Sequence, residues 1–483
     1  MKRLFLQLAA ISSLLLLVAA ASHGSSRPRY GGTVRVLLHD KVTTIDPLNE
    51  EDHPASRDRL AALSFETLTE VDALGHVHPK LASSWHSDQA KRVWQFRLRL
   101  ANFHNGTLLT ASDVVASLGK SNSGWKYTVN DRQTLTIETP FAITHMPELL
   151  ALPKYAIVKR LPDSNAGTGP YRLTEWQAGE RALFAVNEDY WGGRAYPDAI
   201  EFQMGASLRD QLLERQLGKH AAAEVSIDQL RTLEQANQNI VLSRPADLMV
   251  VLFLQPDSVG KPGRKPVDAR VREALANTIN RTAISNGLLQ RRGVPASGLL
   301  PQWLTGYEFM FPGNSNLDRA RELRADAAAF VVITPIALAY DLSDPLAKLV
   351  AERIAVDASA AGIAVQPYGE LHINSKTARA SLNADAVLLR LPLQSVEPSV
   401  VLSAVADDLG FSDSAPTIFV PAILGATRQE DLFEVERKTL AGYRVIPVAH
   451  LPQALWLSGS VHNWQQLMTG AWQLDQLWIE GAR

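Results

Sequence analysis

Residues 81–118, LASSWHSDQAKRVWQFRLRLANFHNGTLLTASDVVASL, carry more information about the fold than any other stretch of this chain. Two segments with a helix-like pattern flank a strand-like WQFRLRL and a turn-prone FHNGT. No residues in this stretch combine into a catalytic centre. The stretch therefore carries fold information and gives no indication of catalysis.

The length and composition of the chain predict a multi-domain globular protein. A chain of 483 residues is too long for one simple core, so two or three domain-sized units are expected. Hydrophobic residues make up 46% and charged residues 20%, which is typical of a globular protein. Ten tryptophans provide large flat apolar faces, which suit both cores and ligand clefts.

The N-terminus has the pattern of a secretory signal peptide. Lys2 and Arg3 form a basic start, the residues from Leu4 to Val18 are largely apolar, and Ala19-Ala20-Ala21 fits an A-x-A cleavage site. We predict a signal peptide over residues 1–21, and the alternative is an uncleaved membrane anchor. No later stretch of the sequence is long and apolar enough to span a bilayer.

The chain contains no cysteine, which excludes disulfides, thiolate metal sites and thiol nucleophiles. It also excludes a lipid-modified cysteine, so we expect an unlipidated protein in a Gram-negative periplasm. Without Lys2 and Arg3, 46 basic residues face 50 acidic residues, a net charge of −4. This balance gives no reason to expect nucleic acid or an anionic membrane as a partner.

Three further blocks accompany residues 81–118. Residues 31–48 contain GGTVRVLL and TTIDPL, and TVRVLL has the pattern of a first strand. Residues 167–200 begin with GTGPYRL and contain NEDYWGG, two turn-rich pieces whose predicted role is structural. Residues 268–301 carry Val271, Leu275 and Ile279 at helical spacing, which predicts one apolar stripe on a helix.

Other segments show the patterns of single elements. Residues 60–72 and 207–219 have helical apolar spacing, which predicts two helices. The segment TLTIETP predicts a strand, and residues 255–267, rich in proline, glycine, lysine and arginine, predict an exposed loop. Residues 333–369 predict a strand, a helix and a second strand, which form one βαβ unit.

Together these ordered blocks resemble the family 5 extracellular solute-binding proteins, the dipeptide, oligopeptide and nickel receptors of ABC importers. The resemblance spans residues 27–480 approximately. Within the opening stretch, the positions in register with the family phrase are Leu81, Ala82, Trp85, Phe96, Leu98, Arg99, Phe103, His104, Gly106, Thr107, Thr110, Ala111, Asp113, Val114 and Ser117.

The resemblance implies an α/β, two-lobed periplasmic-binding-protein fold of type II, in the large peptide-receptor-like cluster. We predict a first lobe over residues 27–247, with a reduced extra subdomain inserted at about 50–165, and a second α/β lobe over residues 248–460. Residues 461–483 would return to the first lobe. The apolar run 248–254 predicts a buried strand that crosses between the lobes. We expect this run and the segment near 455–461 to form the hinge.

Candidate ligand contacts also follow from the resemblance. Peptide-binding family members carry a phrase of the type gWcaDYnEP, whose aspartate holds the ammonium group of the ligand. Here the segment 390–398 reads RLPLQSVEP, and aligning Glu397-Pro398 puts Leu391 at the tryptophan, Gln394 at the aspartate and Ser395 at the tyrosine. We predict Arg390, Leu391, Gln394 and Ser395 as ligand-binding residues, together with Asp46 near the end of the first strand.

The glutamine at position 394 puts ordinary peptide recognition in doubt. Loss of a buried charged partner costs about 3–5 kcal/mol, which is two to three decades of affinity. Gln394 could instead hydrogen-bond a neutral or hydroxylated ligand, and Arg390 could reach an anionic group. The alternative for both residues is a solvated loop.

The sequence gives little indication of catalysis or metal binding. The sequence has no HExxH, no G-x-S-x-G and no phosphate-binding G-x-x-x-x-G-K-[ST]. His76 and His78 form either a metal pair or part of an exposed turn, and the flanking Gly75 and Pro79 favour the turn. We therefore expect no enzymatic activity, no metal and no cofactor.

The functional prediction is a periplasmic substrate-binding protein that captures a small solute, peptide-like or other, between two lobes. Its expected partner is an ABC permease in the inner membrane, and it would act as a monomer. The alternative is a divergent, non-transport member that acts as a ligand sensor or as a structural periplasmic protein. The class of ligand stays open among peptides, opines, oligosaccharides and metal chelates.

Overall fold

The computed structural model describes residues 27–480, apart from 50–52, 73, 206–209, 212, 214–216, 255–265, 307–310, 412–418 and 468–469. The predicted signal peptide lies outside these residues, as do much of the helix predicted over 207–219 and most of the loop predicted over 255–267. Among the helices within the described ranges, none combines the length and hydrophobicity that a bilayer crossing needs.

The N-terminal half of the chain alternates strands with short helices. In chain order it contains β1 (Thr33–Leu37), α1 (Pro54–Ser64), β2 (Thr69–Val71), β3 (Val77–Pro79), β4 (Ala82–Ser87), β5 (Val93–Leu98), α2 (Ala111–Ser121), β6 (Lys126–Val129), β7 (Thr134–Glu138), α3 (Met146–Leu149), β8 (Lys159–Arg160), β9 (Asn165–Ala166), β10 (Tyr171–Gln177), β11 (Arg181–Val186), β12 (Ala199–Gln203), β13 (Ala222–Val225) and α4 (Leu230–Gln235).

The second half is an α/β region bounded by two long strands. It contains β14 (Ile240–Phe253), α5 (Ala269–Thr278), α6 (Arg281–Ala283), β15 (Val294–Pro295), α7 (Gln302–Thr305), α8 (Leu317–Ala328), β16 (Ile336–Asp341), α9 (Pro345–Ser359), β17 (Val365–Glu370), α10 (Lys376–Ser381), β18 (Ala386–Pro392), α11 (Pro398–Asp408), α12 (Phe419–Leu424), α13 (Gln429–Leu440) and β19 (Val445–Leu457). The short strands β20 (Val461–His462), β21 (Gln465–Gln466), β22 (Trp472–Gln473) and β23 (Trp478–Ile479) follow.

One large mixed sheet joins the two halves of the chain. Its strand order is β10-β11-β12-β1-β13-β19-β14-β18-β16-β17, and β15 pairs with β19 off this path. The first five strands of this order come from the N-terminal half, and the last three come from the second half. The long strands β19 and β14 lie between the two groups, so they are the sheet's connection between the lobes.

The crossing strands are buried and irregular. The strand predicted over 248–254 is confirmed as part of β14, and its last eight residues are all buried, as are all thirteen residues of β19. The register between β14 and β19 shifts near Pro245 and again between Met249 and Val250. Such irregularities bend a strand and increase its twist. The second shift lies within the segment 248–254 that was predicted as part of the hinge, and the first lies just before it. The hinge itself stays a prediction.

The extra subdomain is built on a four-stranded antiparallel sheet of order β4-β5-β7-β6. The helix-like interpretation of residues 81–87 is wrong, because this segment forms strand β4 and Trp85 lies opposite Phe96 in the antiparallel pair. Backbone pairing with β5 outweighs the local pattern here. The strand predicted in TLTIETP is confirmed as β7.

The helix expected over residues 60–72 is shifted towards the N-terminus. Helix α1 ends at Ser64, Phe65 is extended, and the chain continues into β2. The carbonyl oxygen of Ser64 accepts a bond from the amide of Gly169, 3.0 Å away. The glycine-rich turn at 167–170 thus packs across the end of α1, which gives that block the structural role predicted for it.

The second half contains the predicted strand-helix-strand unit. β16 and β17 pair in parallel over Ile336–Asp341 and Val365–Glu370, and α9 connects them. The helix predicted after residue 268 is confirmed as α5, whose first turn is capped by the Asp268 side chain bonding to the amide of Arg270. These elements share the largest hydrophobic core with β14 and β19.

The C-terminal residues pack against the N-terminal strands. Trp472 and Leu474 are buried in the same hydrophobic cluster as Val34 of β1 and Phe184 of β11. A separate cluster holds the extra subdomain and also contains Val400 of helix α11. The residue limits given above for the lobes stay predictions, but the two-lobed α/β architecture is clear.

Candidate functional site

A cavity of about 380 Å³ lies where the N-terminal elements face the second half of the chain. Helix α1 forms one wall, the segment after β18 forms another, and the C-terminal strands close a third side. Its walls include Ala55, Asp58, Arg59, Ala62, Phe65, Glu66, Glu70, Lys80, Gln394, Ser395, Val396, Gln453, Trp472, Gln473 and Asp475. Concave sites between lobes with a few converging polar groups are typical of ligand binding.

A second cavity of about 160 Å³ adjoins the first. The two cavities share Ala55, Arg59, Pro392, Gln453 and Trp472 as lining residues. On one side the second cavity is lined by His39 and Asp40, which follow strand β1. On the other side it is lined by Asp344 and Arg390 of the second lobe. The two cavities, which meet at these residues, together form the cleft between the lobes.

Arg59 is the central cation of the shared wall. Its guanidinium donates hydrogen bonds to Glu224 and to Gln453, and it lies 4.4 Å from the ring centroid of Trp472. Burial raises the pKa of Glu224, while the charge of Arg59 opposes that rise. Gln453 in turn donates to Asp247, 2.7 Å away. This network ties helix α1 to both crossing strands.

Asp58 connects the two lobes directly. It lies in helix α1 beside Arg57, whose Nε and Nη2 atoms are 2.8 and 2.7 Å from Oδ1. Its Oδ2 accepts a hydrogen bond of 2.6 Å from the side-chain amide of Gln394 in the second lobe. Burial raises the pKa of Asp58, and the neighbouring charges of Arg57 and Arg59 oppose that rise. A buried carboxylate is thus present at the cleft, although position 394 holds none.

Glu66 forms a second buried carboxylate centre on the cavity wall. Its oxygens accept bonds from Thr168 at 2.7 Å, from the Tyr190 hydroxyl at 2.7 Å and from the Trp191 indole at 2.9 Å. Lys80 lies 3.8 Å away. Burial raises the pKa of Glu66, and these partners counteract it. The aromatic pair in NEDYWGG therefore holds this carboxylate in place.

Three of the predicted ligand-binding residues lie at the cleft. Gln394 and Ser395 line the first cavity, and Arg390 lines the second. The charge of Arg390 is already engaged, because Asp247 lies 2.7 Å from its guanidinium and Asp344 lies 3.8 Å away. Burial alone would lower the pKa of Arg390, but these carboxylates raise it. Whether the three residues contact a ligand stays a prediction.

The other two predicted residues lie apart from both cavities. Leu391 is only 4% exposed and belongs to the main hydrophobic core, where alternation along β18 puts it next to Arg390 but on the opposite face. The Asp46 carboxylate accepts hydrogen bonds from the guanidinium of Arg160. Neither residue belongs to the wall of either cavity, so this placement gives no support to a ligand-binding role for them.

Several residues of the cleft were not identified from the sequence: Asp58, Arg59, Gln453 and Trp472. The sequence carried no distinctive signal for them. Arg57, Asp58 and Arg59 are consecutive charged residues inside a helix, and each is only 8% exposed. Charged residues are rarely so buried unless they are paired. In sequence alone such a run is indistinguishable from the solvated face of a helix.

The segment around His76 and His78 is the exposed turn that was predicted. Asp72 accepts bonds from the amides of Leu74 and His76, and His78 Nε2 lies 2.9 Å from its Oδ2. The hydrogen bond with His78 and those from the backbone hold the pKa of Asp72 well below its usual range. Asp72, His76 and His78 bring three possible ligand atoms within 4.8 Å of one another, but these bonds account for the arrangement as a hairpin turn.

Comparisons with known proteins give the same family. A probable D,D-dipeptide-binding periplasmic protein DdpA of Escherichia coli K12 is 26% identical over 260 residues, which are 48% of this chain and 49% of the relative. The nickel-binding protein NikA of Staphylococcus aureus is 27% identical over 310 residues, which are 61% of this chain and 60% of the relative. The chain thus matches about half to three fifths of the length of these relatives.

The fold is shared over a longer span. The solved structure of the murein tripeptide binding protein MppA of Escherichia coli superposes with a TM-score of 0.80 over 94% of this chain and 99% of that chain, at 17% identity. The sequence profile described as "Bacterial extracellular solute-binding proteins, family 5 Middle" matches residues 76–412, well over half of the chain. The chain belongs to family 5 of the bacterial extracellular solute-binding proteins.

Proposed function

We propose that this protein is the periplasmic receptor of an ABC importer, which captures a small solute between its two lobes and delivers it to the permease. The observation that carries the proposal is the cleft between the lobes. Its walls come from helix α1, the crossing strands and the segment after β18, so a bound solute would contact both lobes at once.

A cleft of this kind suits reversible capture. A solute that contacts both lobes favours the closed arrangement over an open one, because it interacts with both lobes only when they are together. The irregular register of β14 and β19 near Pro245 provides a bending point. The named relatives include receptors for a dipeptide and for nickel, which supports a transport role for a protein of this family.

The first test is recovery of the natural solute. The protein would be purified from the periplasm of its own host without added ligand, unfolded, and the released small molecules identified by mass spectrometry. We expect one compound in near-stoichiometric amount, and the same compound should stabilise the emptied protein against heat. An empty protein that no extract component stabilises would contradict capture.

The second test concerns delivery. The cognate permease and ATPase, reconstituted in lipid nanodiscs, should hydrolyse ATP faster when the loaded receptor is added. Unchanged hydrolysis, with solute binding intact, would favour the sensor role over the import role.

Localisation is tested on the full-length chain. Expression in a Gram-negative host should yield a protein that is released by osmotic shock and whose mass corresponds to cleavage after Ala21. Retention of residues 1–21 in the membrane fraction would instead indicate an uncleaved anchor.

A further inference from the structure

The walls of the cleft carry a strong excess of negative charge. The first cavity is lined by six carboxylates, Asp58, Glu66, Glu70, Asp72, Glu148 and Asp475, and by two cations, Arg59 and Lys80. The second cavity adds five carboxylates and one new cation, Arg390. With histidine counted as neutral, the cleft has eleven acidic and three basic lining residues, a net charge of −8, whereas the whole chain has a net charge of −2. Arg57, which binds Asp58 from outside the lining, lowers this excess by one charge.

This excess is not explained by the overall composition. Acidic and basic residues are nearly balanced in the chain, at 50 and 48, yet acids outnumber bases more than three to one on these walls. Low-dielectric walls of one charge sign concentrate the opposite charge in a cleft. An anionic solute would meet repulsion here, and a cationic solute would compensate buried carboxylates.

Asp58 is the best placed of these carboxylates to hold a cation. An ionised carboxylate offers about four acceptor positions. Arg57 and Gln394 each donate one hydrogen bond to Asp58, and Arg57 Nη2 lies 2.7 Å from the same Oδ1 atom that its Nε binds. Gln394 lines the same cavity as Asp58, whereas Arg57 belongs to the lining of neither cavity. A ligand ammonium could occupy the remaining acceptor position of Oδ2 and also donate to the amide oxygen of Gln394. Both lobes would then contribute to one subsite.

We propose, on the basis of the receptor function above, that the solute carries a net positive charge and a primary ammonium or guanidinium group, which Asp58 of the first lobe and Gln394 of the second lobe bind together. The cation-binding carboxylate of this protein thus lies on helix α1 and not at position 394. This assignment restores amine recognition that the sequence at 390–398 had put in doubt.

A charge-matched panel tests the solute class. The mature chain would be titrated with putrescine, 4-aminobutanoate and succinate, which share a four-carbon skeleton and carry two, zero and minus two net charges. Three more cationic probes are agmatine, spermidine and the dipeptide Lys-Ala with an amidated C-terminus. Two further comparison ligands are the anionic N-acetyl-Glu-Ala and nickel with L-histidine. Thermal shift gives the first readout and calorimetry gives the dissociation constant.

Three variants test the assignment of Asp58. Asp58→Asn should weaken binding of the best cationic probe by about 30-fold or more, because one partner of a buried charge pair is lost. Asp357→Asn is the matched control. The side chains of Asp58 and Asp357 are both 9% exposed, and each binds a neighbouring arginine. Asp357, however, lies outside both cavities. Gln394→Lys places an ammonium beside Asp58, so it should raise thermal stability and abolish binding of cationic probes.

The outcomes separate this inference from the proposed function. The inference is supported if only the cationic probes stabilise the protein. This stabilisation should be lost in Asp58→Asn and in Gln394→Lys, and it should be kept in Asp357→Asn. Stabilisation by succinate, 4-aminobutanoate, N-acetyl-Glu-Ala or nickel-histidine alone overturns the inference and leaves the receptor function standing. An absence of response to every cationic probe also overturns it, and the ligand-recovery experiment then decides the receptor function independently. If Asp58→Asn does not fold, Gln394→Lys still decides the assignment.

Discussion

His450 shows how a single buried side chain can make stability depend on pH. It lies in the crossing strand β19, it is only 2% exposed, and its Nε2 atom is 3.0 Å from the carbonyl oxygen of Leu299. That oxygen can only accept, so Nε2 carries a proton and the ring is held as a neutral donor. Burial lowers the pKa of His450 to about 4.

We expect this residue to weaken the fold in mild acid. Above pH 6.5 the ring is neutral in the folded and in the unfolded chain. Between pH 6.5 and about pH 4, the unfolded chain binds a proton at this ring and the folded chain does not. The free energy of unfolding should therefore fall between about pH 6.5 and pH 4 by about 3 kcal/mol from this group. Urea unfolding of the wild type and of His450→Gln at a series of pH values measures the difference. Parallel curves for the two proteins would contradict the prediction.

At the scale of elements, the glycine-rich turn at 167–170 fixes how strand β10 meets helix α1. A Cβ atom built on Gly167 would overlap the backbone carbonyl of Ser64, and one built on Gly169 would overlap that of Leu63. His104 and Asn187 bind the same turn, since His104 Nε2 and Asn187 Nδ2 lie 3.0 and 3.1 Å from the Gly169 carbonyl oxygen. The close backbone contact allows only glycine at both positions.

We predict that Gly167→Ala lowers the free energy of unfolding by about 3 kcal/mol, because the overlapping atom is rigid backbone. Gly119→Ala is the matched control. Gly119 lies inside helix α2, and an added Cβ meets no atom within 4 Å. There alanine should stabilise the protein by about 0.5–1 kcal/mol. Chemical denaturation of both variants gives the comparison, and a Gly167→Ala protein of unchanged stability would show that the turn can move.

At the scale of the whole molecule, the extra subdomain contacts the second lobe away from the cavity walls. Helix α11 contributes Val400 and Ala404 to the subdomain core. Lys154 of the subdomain lies 3.6 Å from Asp407 at the end of the same helix, and both side chains are about one third exposed. These contacts do not involve the cavity walls, so they can affect closure without affecting the solute directly.

We predict that Lys154→Ala lowers the closed-to-open ratio by up to about fivefold, because a partly exposed ion pair contributes about 0.2–1 kcal/mol. The chain has no cysteine, so cysteines introduced at the exposed positions Glu188 and Glu352 can be labelled specifically for single-molecule energy transfer. Lys126→Ala is the control, since Lys126 binds Glu138 within the subdomain sheet. An equal effect of both variants would indicate a general loss of stability.

Much of the fold could be predicted because its signals are local. Residues 248–254 form a buried apolar run, and 333–369 show a strand-helix-strand order; both are found in the structure. The ordered blocks also identified the family. The error at 81–87 has a different origin, because pairing with β5 is a contact between segments that the local pattern of a polar stretch does not encode.

The sequence by itself thus determined the fold class, the family and the block structure, since these depend on hydrophobic periodicity and turn residues close together in the chain. Only the tertiary structure decided which side chains meet at the cleft. Asp58 and Gln394 are 336 positions apart, and their contact depends on how the lobes face each other. Tertiary packing likewise buries Leu391 in the core and brings Asp46 into contact with Arg160. The sequence had predicted Leu391 and Asp46 as ligand contacts.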